Sequence, residues 1–199
     1  MQSTALKASA VCLLGIATWQ ISDAAIIKGK AWLAQYLLQD AWQKTLKTQQ
    51  TIKPWPWADH WPVARLQIPA HEQDLIVLAG AAGNSLAFAP GHMTQTALPG
   101  SKGLSVISAH RDTHFTFLRH LNQSDEIIVT DMHGKKVIYQ IDETGIVDSR
   151  HFNVNDVTQS LVDNDSLLML STCYPFDEIV PGGSLRYIVM ATQRKTVYL

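Results

Sequence analysis

The stretch LMLSTCYPF, residues 168–176, is an apolar, strand-like run that ends on Cys173. The only other cysteine of the chain, Cys12, lies inside an apolar N-terminal segment. A single thiol at the end of a strand is either a small buried hydrophobic group or a nucleophile. On the oxidising side of a membrane it would have no disulfide partner within its own domain, so use as a nucleophile explains it better.

Two further strand-like runs carry polar residues that suit a thiol. The run GLSVISAHRDTHF, residues 103–115, has His110 where its alternating part ends, and SLRYIVMATQ, residues 184–193, carries Arg186. A free cysteine has a pKa of about 8.5, so it stays mostly uncharged at neutral pH unless a cationic neighbour lowers that value. A sheet that gathers the three side chains would hold them rigidly. We therefore predict a site made of thiol, imidazole and guanidinium.

A metal site is the competing interpretation of the histidine segment. His110 and His114 have the spacing of a zinc-binding pair, provided that the segment is helical. The preceding SVIS alternates like a strand, the glutamate of the zinc-peptidase motif is absent, and no third ligand has a defined spacing. We expect no metal here.

Three pieces of sequence, SAHRD, LSTC and LRYIV, resemble the sortases in their order, spacing and local pattern. Sortases are membrane-anchored cysteine transpeptidases that act on cell-surface proteins, and the resemblance covers residues 54–199. It implies a closed eight-stranded β-barrel. It also implies Cys173 as nucleophile, His110 as general acid and base, and Arg186 as the cation that positions substrate and stabilises the oxyanion. The sequence has no phosphate-cradling glycine loop, no nucleotide motif and no definite calcium loop, so we expect no cofactor.

The resemblance also implies neighbouring substrate contacts and partners. Thr172 matches the family pattern, and we add Ala109 and Asp112, the last of which either orients His110 or faces water. Met169 stands where the family usually has a threonine. The implied substrate is an exported protein with an LPXTG-like motif near its C-terminus, and the second substrate is an amine acceptor of the cell envelope.

Other functions compete with a transpeptidase of this kind. An L,D-transpeptidase-like enzyme typically has SHGC, whereas this chain has LSTC. Papain-like enzymes place cysteine before histidine, which is the reverse of the order here. A hydrolytic cysteine enzyme of the cell envelope and a non-enzymatic, membrane-tethered peptide-binding barrel also remain open.

Beyond Trp61 the chain consists of short β-rich runs between Gly-, Pro-, Asn- and Asp-containing turns. Seven or eight short strands favour a closed or nearly closed barrel. We expect a hairpin tip at MHGKK, residues 132–136, and helical turns within 113–121 and 152–161. Four histidines fall in turn-like or surface-like stretches and should be solvated: His92, His120, His133 and His151.

The N-terminal third differs from the rest in composition. Residues 8–27 are mostly apolar and long enough to cross a bilayer as a helix, although Gln20 and Asp23 interrupt them. We predict an N-terminal transmembrane helix within a membrane anchor at 1–30, an amphipathic helix and linker at 31–53, and the barrel domain at 54–199. A cleavable signal peptide is the alternative. The barrel would then face the extracytoplasmic or periplasmic side of the cytoplasmic membrane.

All six tryptophans lie in the first 61 residues, three of them in the connector TQQTIKPWPWADHWP, residues 48–62. They either pin the connector to the domain or line a groove. The dense tryptophans of this connector resemble the proteobacterial type of sortase. Residues 62–199 carry ten Lys or Arg against fourteen Asp or Glu, which argues against nucleic acid as a partner.

Overall fold

The computed structural model describes residues 2–83, 85–159, 166–178 and 182–197. Contacts divide the chain into a unit Met1–Leu37 and a unit Leu38–Leu199. A single long helix, α1 (Gln2–Thr48), accounts for all the described residues of the first unit and opens the second.

The segment predicted as a membrane anchor is helical, but the predicted transmembrane helix is not found. Among the described residues, no helix is both long enough and apolar enough to cross a membrane. Polar residues such as Gln20, Asp23 and Lys28 interrupt the apolar run and lower its mean hydropathy.

The second unit is built around a closed barrel of eight strands, as predicted. The strands are β1 (Pro62–Ile68), β2 (Gln73–Ala79), β3 (Gly91–His92), β4 (Gly103–Ser108), β5 (Glu126–Asp131), β6 (Lys136–Asp148), β7 (Ser166–Cys173) and β8 (Leu185–Val197). Around the barrel they follow the order β1-β2-β3-β4-β7-β8-β6-β5. The β2–β3 and β4–β7 pairs are parallel, and the other pairs are antiparallel.

Every second side chain of the strands points inward, and these side chains fill the barrel. In β1 every second residue is buried, from Pro62 through Ala64 and Leu66 to Ile68, as expected for a strand with one face on a core. The central cluster adds residues from the strands and from the segment after β4, among them Ile107, Phe115, Leu118, Tyr139, Leu170 and Val189. This continuous apolar interior makes the strand ends a rigid frame for polar groups at the barrel mouth.

Short helical pieces lie between the strands. The turns predicted within 113–121 and 152–161 are confirmed as a 3₁₀ helix (Thr116–His120) and as α3 (Val154–Gln159). The predicted hairpin tip joins β5 to β6. A 3₁₀ helix (Pro69–His71) and α2 (Ser85–Phe88) were not predicted.

The prediction of a solvated His92 is wrong. His92 belongs to β3, a strand of only two residues that no sequence pattern revealed, and its side chain is 2% exposed. The His92 Nε2 atom lies 2.8 Å from the Ala97 carbonyl oxygen, which satisfies the buried ring. His120, His133 and His151 are exposed, as expected.

The last turns of α1 belong to the second unit and pack on the barrel. Leu38 and Trp42 are fully buried against Ile76, Leu78 and Ala89. The two side chains cover the outer face of β2 and the segment that follows α2. The amphipathic helix predicted within residues 31–53 therefore uses its final part for packing within the domain.

The connector tryptophans behave differently from one another. Trp55 makes edge contacts with His60 and Phe88, at centroid distances of 5.4 and 5.2 Å. Trp57 is 82% exposed. Trp55 thus pins the connector to the domain beside α2, which is one of the two arrangements expected for these aromatic residues.

Candidate active site

Three neighbouring strands bring the predicted reactive residues to one end of the barrel. In the parallel β4–β7 pair, Ser108 lies opposite Ser171, and the Ala109 amide donates to the Ser171 carbonyl at 3.2 Å just beyond. His110 and Cys173 each follow this pair by two residues, so the chain brings them to the same end of the barrel. In the antiparallel β7–β8 pair, Cys173 lies opposite Arg186.

The three side chains line one pocket of about 380 Å³. A barrel mouth is a common location for a ligand site, and apolar walls with a few convergent polar groups are its usual composition. His110, Cys173 and Arg186 provide the reactive polar groups. The walls are largely apolar and include Leu86, Met93, Val106, Val147, Phe152, Val154, Met169 and Ile188.

Exposure differs among the three groups in a way that suits chemistry on an incoming chain. Cys173 is half-buried, His110 is exposed and Arg186 is half-buried. Arg186 Nη1 donates to the carbonyl oxygens of Gly183 at 2.6 Å and Leu185 at 2.8 Å. These bonds anchor the guanidinium to the chain at the start of β8, and its remaining N–H groups can meet a substrate oxygen in the pocket that Arg186 and Cys173 both line.

Thr172 and Ala109 link β7, which carries the sulfur, to the segment that follows β4. Thr172 is 2% exposed, and its hydroxyl donates to the Ala109 carbonyl at 2.7 Å. Both residues line the pocket. The Thr172 hydroxyl is therefore committed to the link between β4 and β7, which fixes the spacing of His110 and Cys173.

Asp112 is not brought into the pocket. Its side chain is exposed, and it lies outside the residues that line the cavity. Of the two roles expected for it, the solvent-facing one agrees with this position.

His114 is a neighbour of the site that sequence reasoning treated only as a potential metal ligand. Burial lowers the pKa of the His114 imidazole, the nearby His110 lowers it further, and a backbone hydrogen bond with Phe88 opposes both. Among the residues that the structure describes, no cluster of three or more His, Cys, Asp or Glu side chains could hold a metal ion. His114 instead connects the histidine segment to the end of α2, whose Leu86 forms part of the pocket wall.

Arg111 is a second residue near the site that the sequence did not reveal. Its guanidinium donates to the carbonyl oxygens of Pro175 at 2.7 Å and Glu178 at 2.5 Å. The only local signal was its place beside His110, and adjacency in sequence says nothing about contacts with residues more than sixty positions away.

Comparison with known proteins identifies the same family as the motifs did. The family model for the sortase domain matches residues 66–194. Sortase D of Bacillus subtilis (strain 168) is 31% identical over 124 residues, which make up 62% of this chain and 60% of that protein. The chain thus spans less than two thirds of the length of this curated relative.

Solved structures of sortases share the fold. The catalytic domain of B. anthracis SrtD is 29% identical, with a TM-score of 0.56, and the match covers 69% of this chain and 90% of that one. Sortase C-1 from Actinomyces oris is 26% identical, with a TM-score of 0.57, and the match covers 67% of this chain and 73% of that one.

Proposed function

Because this chain belongs to the sortase family, we propose that it is a cysteine transpeptidase. It cleaves an LPXTG-like motif of an exported protein and transfers the N-terminal, acyl part of that protein to an amine. The observation that carries the proposal is the meeting of Cys173, His110 and Arg186 in one pocket at the ends of three adjacent strands. These residues come from distant parts of the sequence, so their convergence is a property of the fold.

The first half-reaction forms a thioester. The Cys173 thiolate attacks the backbone carbonyl carbon of the motif, so that an S–C bond forms and the carbonyl electrons move onto oxygen. Arg186 donates hydrogen bonds to this oxyanion, and His110 protonates the amine as the C–N bond breaks. The amine-bearing C-terminal fragment then leaves.

The second half-reaction restores the enzyme. An acceptor amine attacks the thioester, His110 takes a proton from this amine, and Cys173 leaves as thiolate. Water competes with the amine and gives hydrolysis.

We place the enzyme at the extracytoplasmic face of the cytoplasmic membrane, where exported substrates and envelope amines meet. Large apolar side chains of α1 remain exposed between residues 13 and 36, including Leu13, Leu14, Trp19, Ile21, Ile27, Trp32 and Tyr36. This surface supports attachment of the helix to lipid. The tryptophan-rich connector favours the proteobacterial type of the family.

The test is a search for a covalent intermediate. The full chain is incubated with a library of LPXTG-like peptides, and the mass of the Cys173-containing fragment is measured with and without a small amine. We expect an acyl adduct that an added amine converts to a new amide product. Cys173→Ala should give neither.

The alternatives give different results in the same experiment. A hydrolytic enzyme would release the carboxylic acid at a rate that added amine does not change. A peptide-binding barrel would form no adduct, and its Cys173 would resist a charged alkylating reagent in the folded protein. A L,D-transpeptidase-like enzyme would be acylated by a peptidoglycan stem peptide and not by the LPXTG-like library.

A further inference from the structure

The segments that follow His110 and Cys173 lie against each other. After His110 the chain makes a turn that the Phe115 amide closes onto the His110 carbonyl at 3.0 Å. After Cys173 the chain leaves β7, and the Tyr174 amide donates to the Leu185 carbonyl at 3.0 Å. Residues 174–178 are here called the nucleophile loop.

Arg111 joins the two segments. It directly follows His110 in sequence, and its Nη1 and Nη2 atoms donate to two carbonyl oxygens of the nucleophile loop, at 2.7 Å to Pro175 and 2.5 Å to Glu178. The Glu178 carboxylate lies 3.8 Å from Nη1. One side chain thus ties the residue after the imidazole to two carbonyl groups of the nucleophile loop, those of Pro175 and Glu178.

The shape and burial of this side chain suit a fixed link. The Arg111 side chain is only 12% exposed, whereas its partner residues Pro175 and Glu178 are exposed. A guanidinium presents several N–H groups in a rigid plane and can meet two separate acceptors at once. An ammonium group is a single compact charge and cannot reproduce this fork. Charge-assisted hydrogen bonds of this kind are stronger than neutral ones.

A second arginine contacts the same loop but in a different setting. Arg119 Nη1 lies 3.0 Å from the Asp177 carboxylate, and its guanidinium sits 4.6 Å above the Phe176 ring. The Arg119 side chain is 32% exposed and its carboxylate partner is 87% exposed, so solvent screens this ion pair. Arg119 therefore offers a matched control for Arg111.

We propose that Arg111 is a positioning residue that fixes the nucleophile loop relative to His110 during acyl transfer. The inference rests on the proposed function, because it concerns the geometry of that reaction. Proton transfer from His110 to the departing amine requires the imidazole and the sulfur to keep their separation as the substrate is cleaved. A displacement of about 1 Å at a reacting group lowers rates by about a hundredfold.

The experiment measures acylation by a motif peptide in the full chain, with the rate expressed per reactive Cys173 thiol. Mass analysis after alkylation with iodoacetamide counts these thiols separately from Cys12. For Arg111→Gln we expect kcat to fall by about tenfold or more with KM changed by less than about threefold. Arg111→Lys should recover only a small part of the loss, and Arg119→Gln should stay within about threefold of the wild type.

Normalising to reactive thiols separates positioning from folding. A purely structural role would reduce the number of reactive thiols and leave kcat per thiol unchanged, and this result would overturn the inference. If Arg111→Gln does not fold, Arg111→Lys decides the question in the same way: a loss of about tenfold per thiol supports positioning, and an unchanged value contradicts it.

Different results would refute the proposed function and the role of Arg111. A wild-type chain whose Cys173 alkylates but never forms an acyl adduct would refute the transpeptidase, and the positioning role would fall with it. A wild-type chain that acylates normally, together with an Arg111→Gln variant of equal kcat, would refute only the role of Arg111.

Discussion

Cys173 and Arg186 occupy directly opposite positions in the antiparallel β7–β8 pair. Opposite residues of such a pair have Cβ atoms about 5 Å apart and project from the same face of the sheet. A slip of one residue in this register would send the guanidinium to the other face. The pairing of two strands therefore decides whether Arg186 shares a face of the sheet with the sulfur.

Removal of this cation should slow acylation strongly. We expect Arg186→Ala to lower kcat/KM for a motif peptide by on the order of a hundredfold or more, because the oxyanion loses its charged donor. Arg186→Lys should lose less, since it keeps the charge but not the planar fork. Arg194→Ala is the control on the same strand, since Arg194 is 60% exposed and contacts only Asp142 among the described ion pairs. Equal rates in Arg186→Ala and the wild type would remove Arg186 from the mechanism.

The barrel was predictable because its strands carry their own signal. The runs that became β1, β2 and β4 to β8 alternate or are continuously apolar, and turn residues bound them, so that local pattern and fold agree. β3 was not predicted, because a strand of two residues, Gly91 and His92, is too short to show an alternating pattern of hydrophobicity. The burial of His92 follows from pairing with strands on both sides, which no local pattern encodes.

The reactive residues were predictable for a different reason. Cys173, His110 and Arg186 each stand at a strand end, and their order along the chain matches a known family. Arg111 and His114 were not predictable as neighbours of the site, because their roles depend on carbonyl groups of Pro175, Glu178 and Phe88. A backbone carbonyl has no sequence signature, so only the fold reveals which one a side chain reaches.

Gly91 controls the wall of the pocket through a close approach of backbones. A Cβ atom at this position would overlap the Gly80 carbonyl oxygen and lie 2.8 Å from Ala81 Cα. Ala81 lines the pocket. We expect Gly91→Ala to reduce the free energy of unfolding by about 1–3 kcal/mol, as overpacking does, and to raise KM for the peptide because the wall shifts.

Gly145→Ala is the matched control for this substitution. Gly145 lies in β6, and a Cβ there would meet no atom within 4 Å. Chemical denaturation and steady-state kinetics of both variants provide the comparison. A Gly91→Ala variant as stable and active as Gly145→Ala would contradict the assigned close approach.

His92 should make stability sensitive to acid. Burial lowers the pKa of its imidazole below the ordinary value, and the bond to the Ala97 carbonyl only partly opposes this. Below about pH 6.5, His92 of the unfolded chain therefore binds a proton, whereas the buried His92 of the folded chain stays neutral until a lower pH. The free energy of unfolding therefore keeps its full value above about pH 6.5 and decreases as the pH falls toward the pKa of His92 in the folded chain.

The His92→Gln variant isolates this contribution. An amide can still donate to the Ala97 carbonyl but does not titrate, so the loss of unfolding free energy between pH 7 and pH 5 should be smaller than in the wild type. His151→Gln, at a histidine whose side chain is 81% exposed, should keep the wild-type pH dependence. Denaturant titrations at several pH values measure both. Parallel curves for His92→Gln and the wild type would rule out His92 as the acid-sensitive group.

Trp42 makes the end of α1 part of the barrel domain. Its side chain is fully buried against Ile76, Leu78 and Ala89, so Trp42→Ala leaves a large cavity. We expect a loss of about 3–5 kcal/mol in the free energy of unfolding, measured by denaturation of the full chain. Trp57→Ala, at a tryptophan that is 82% exposed, should change it by less than about 0.5 kcal/mol.

The indole nitrogen refines this prediction. Trp42 Nε1 is buried without a hydrogen-bond partner among the described residues. Trp42→Phe gives up volume but also removes an unsatisfied donor, so it should cost clearly less than Trp42→Ala.

The same contact predicts that a domain starting at residue 54, which lacks Leu38 and Trp42, is less stable than one starting at residue 38. Equal denaturation midpoints for these two fragments would show that the helix end contributes no stability to the barrel.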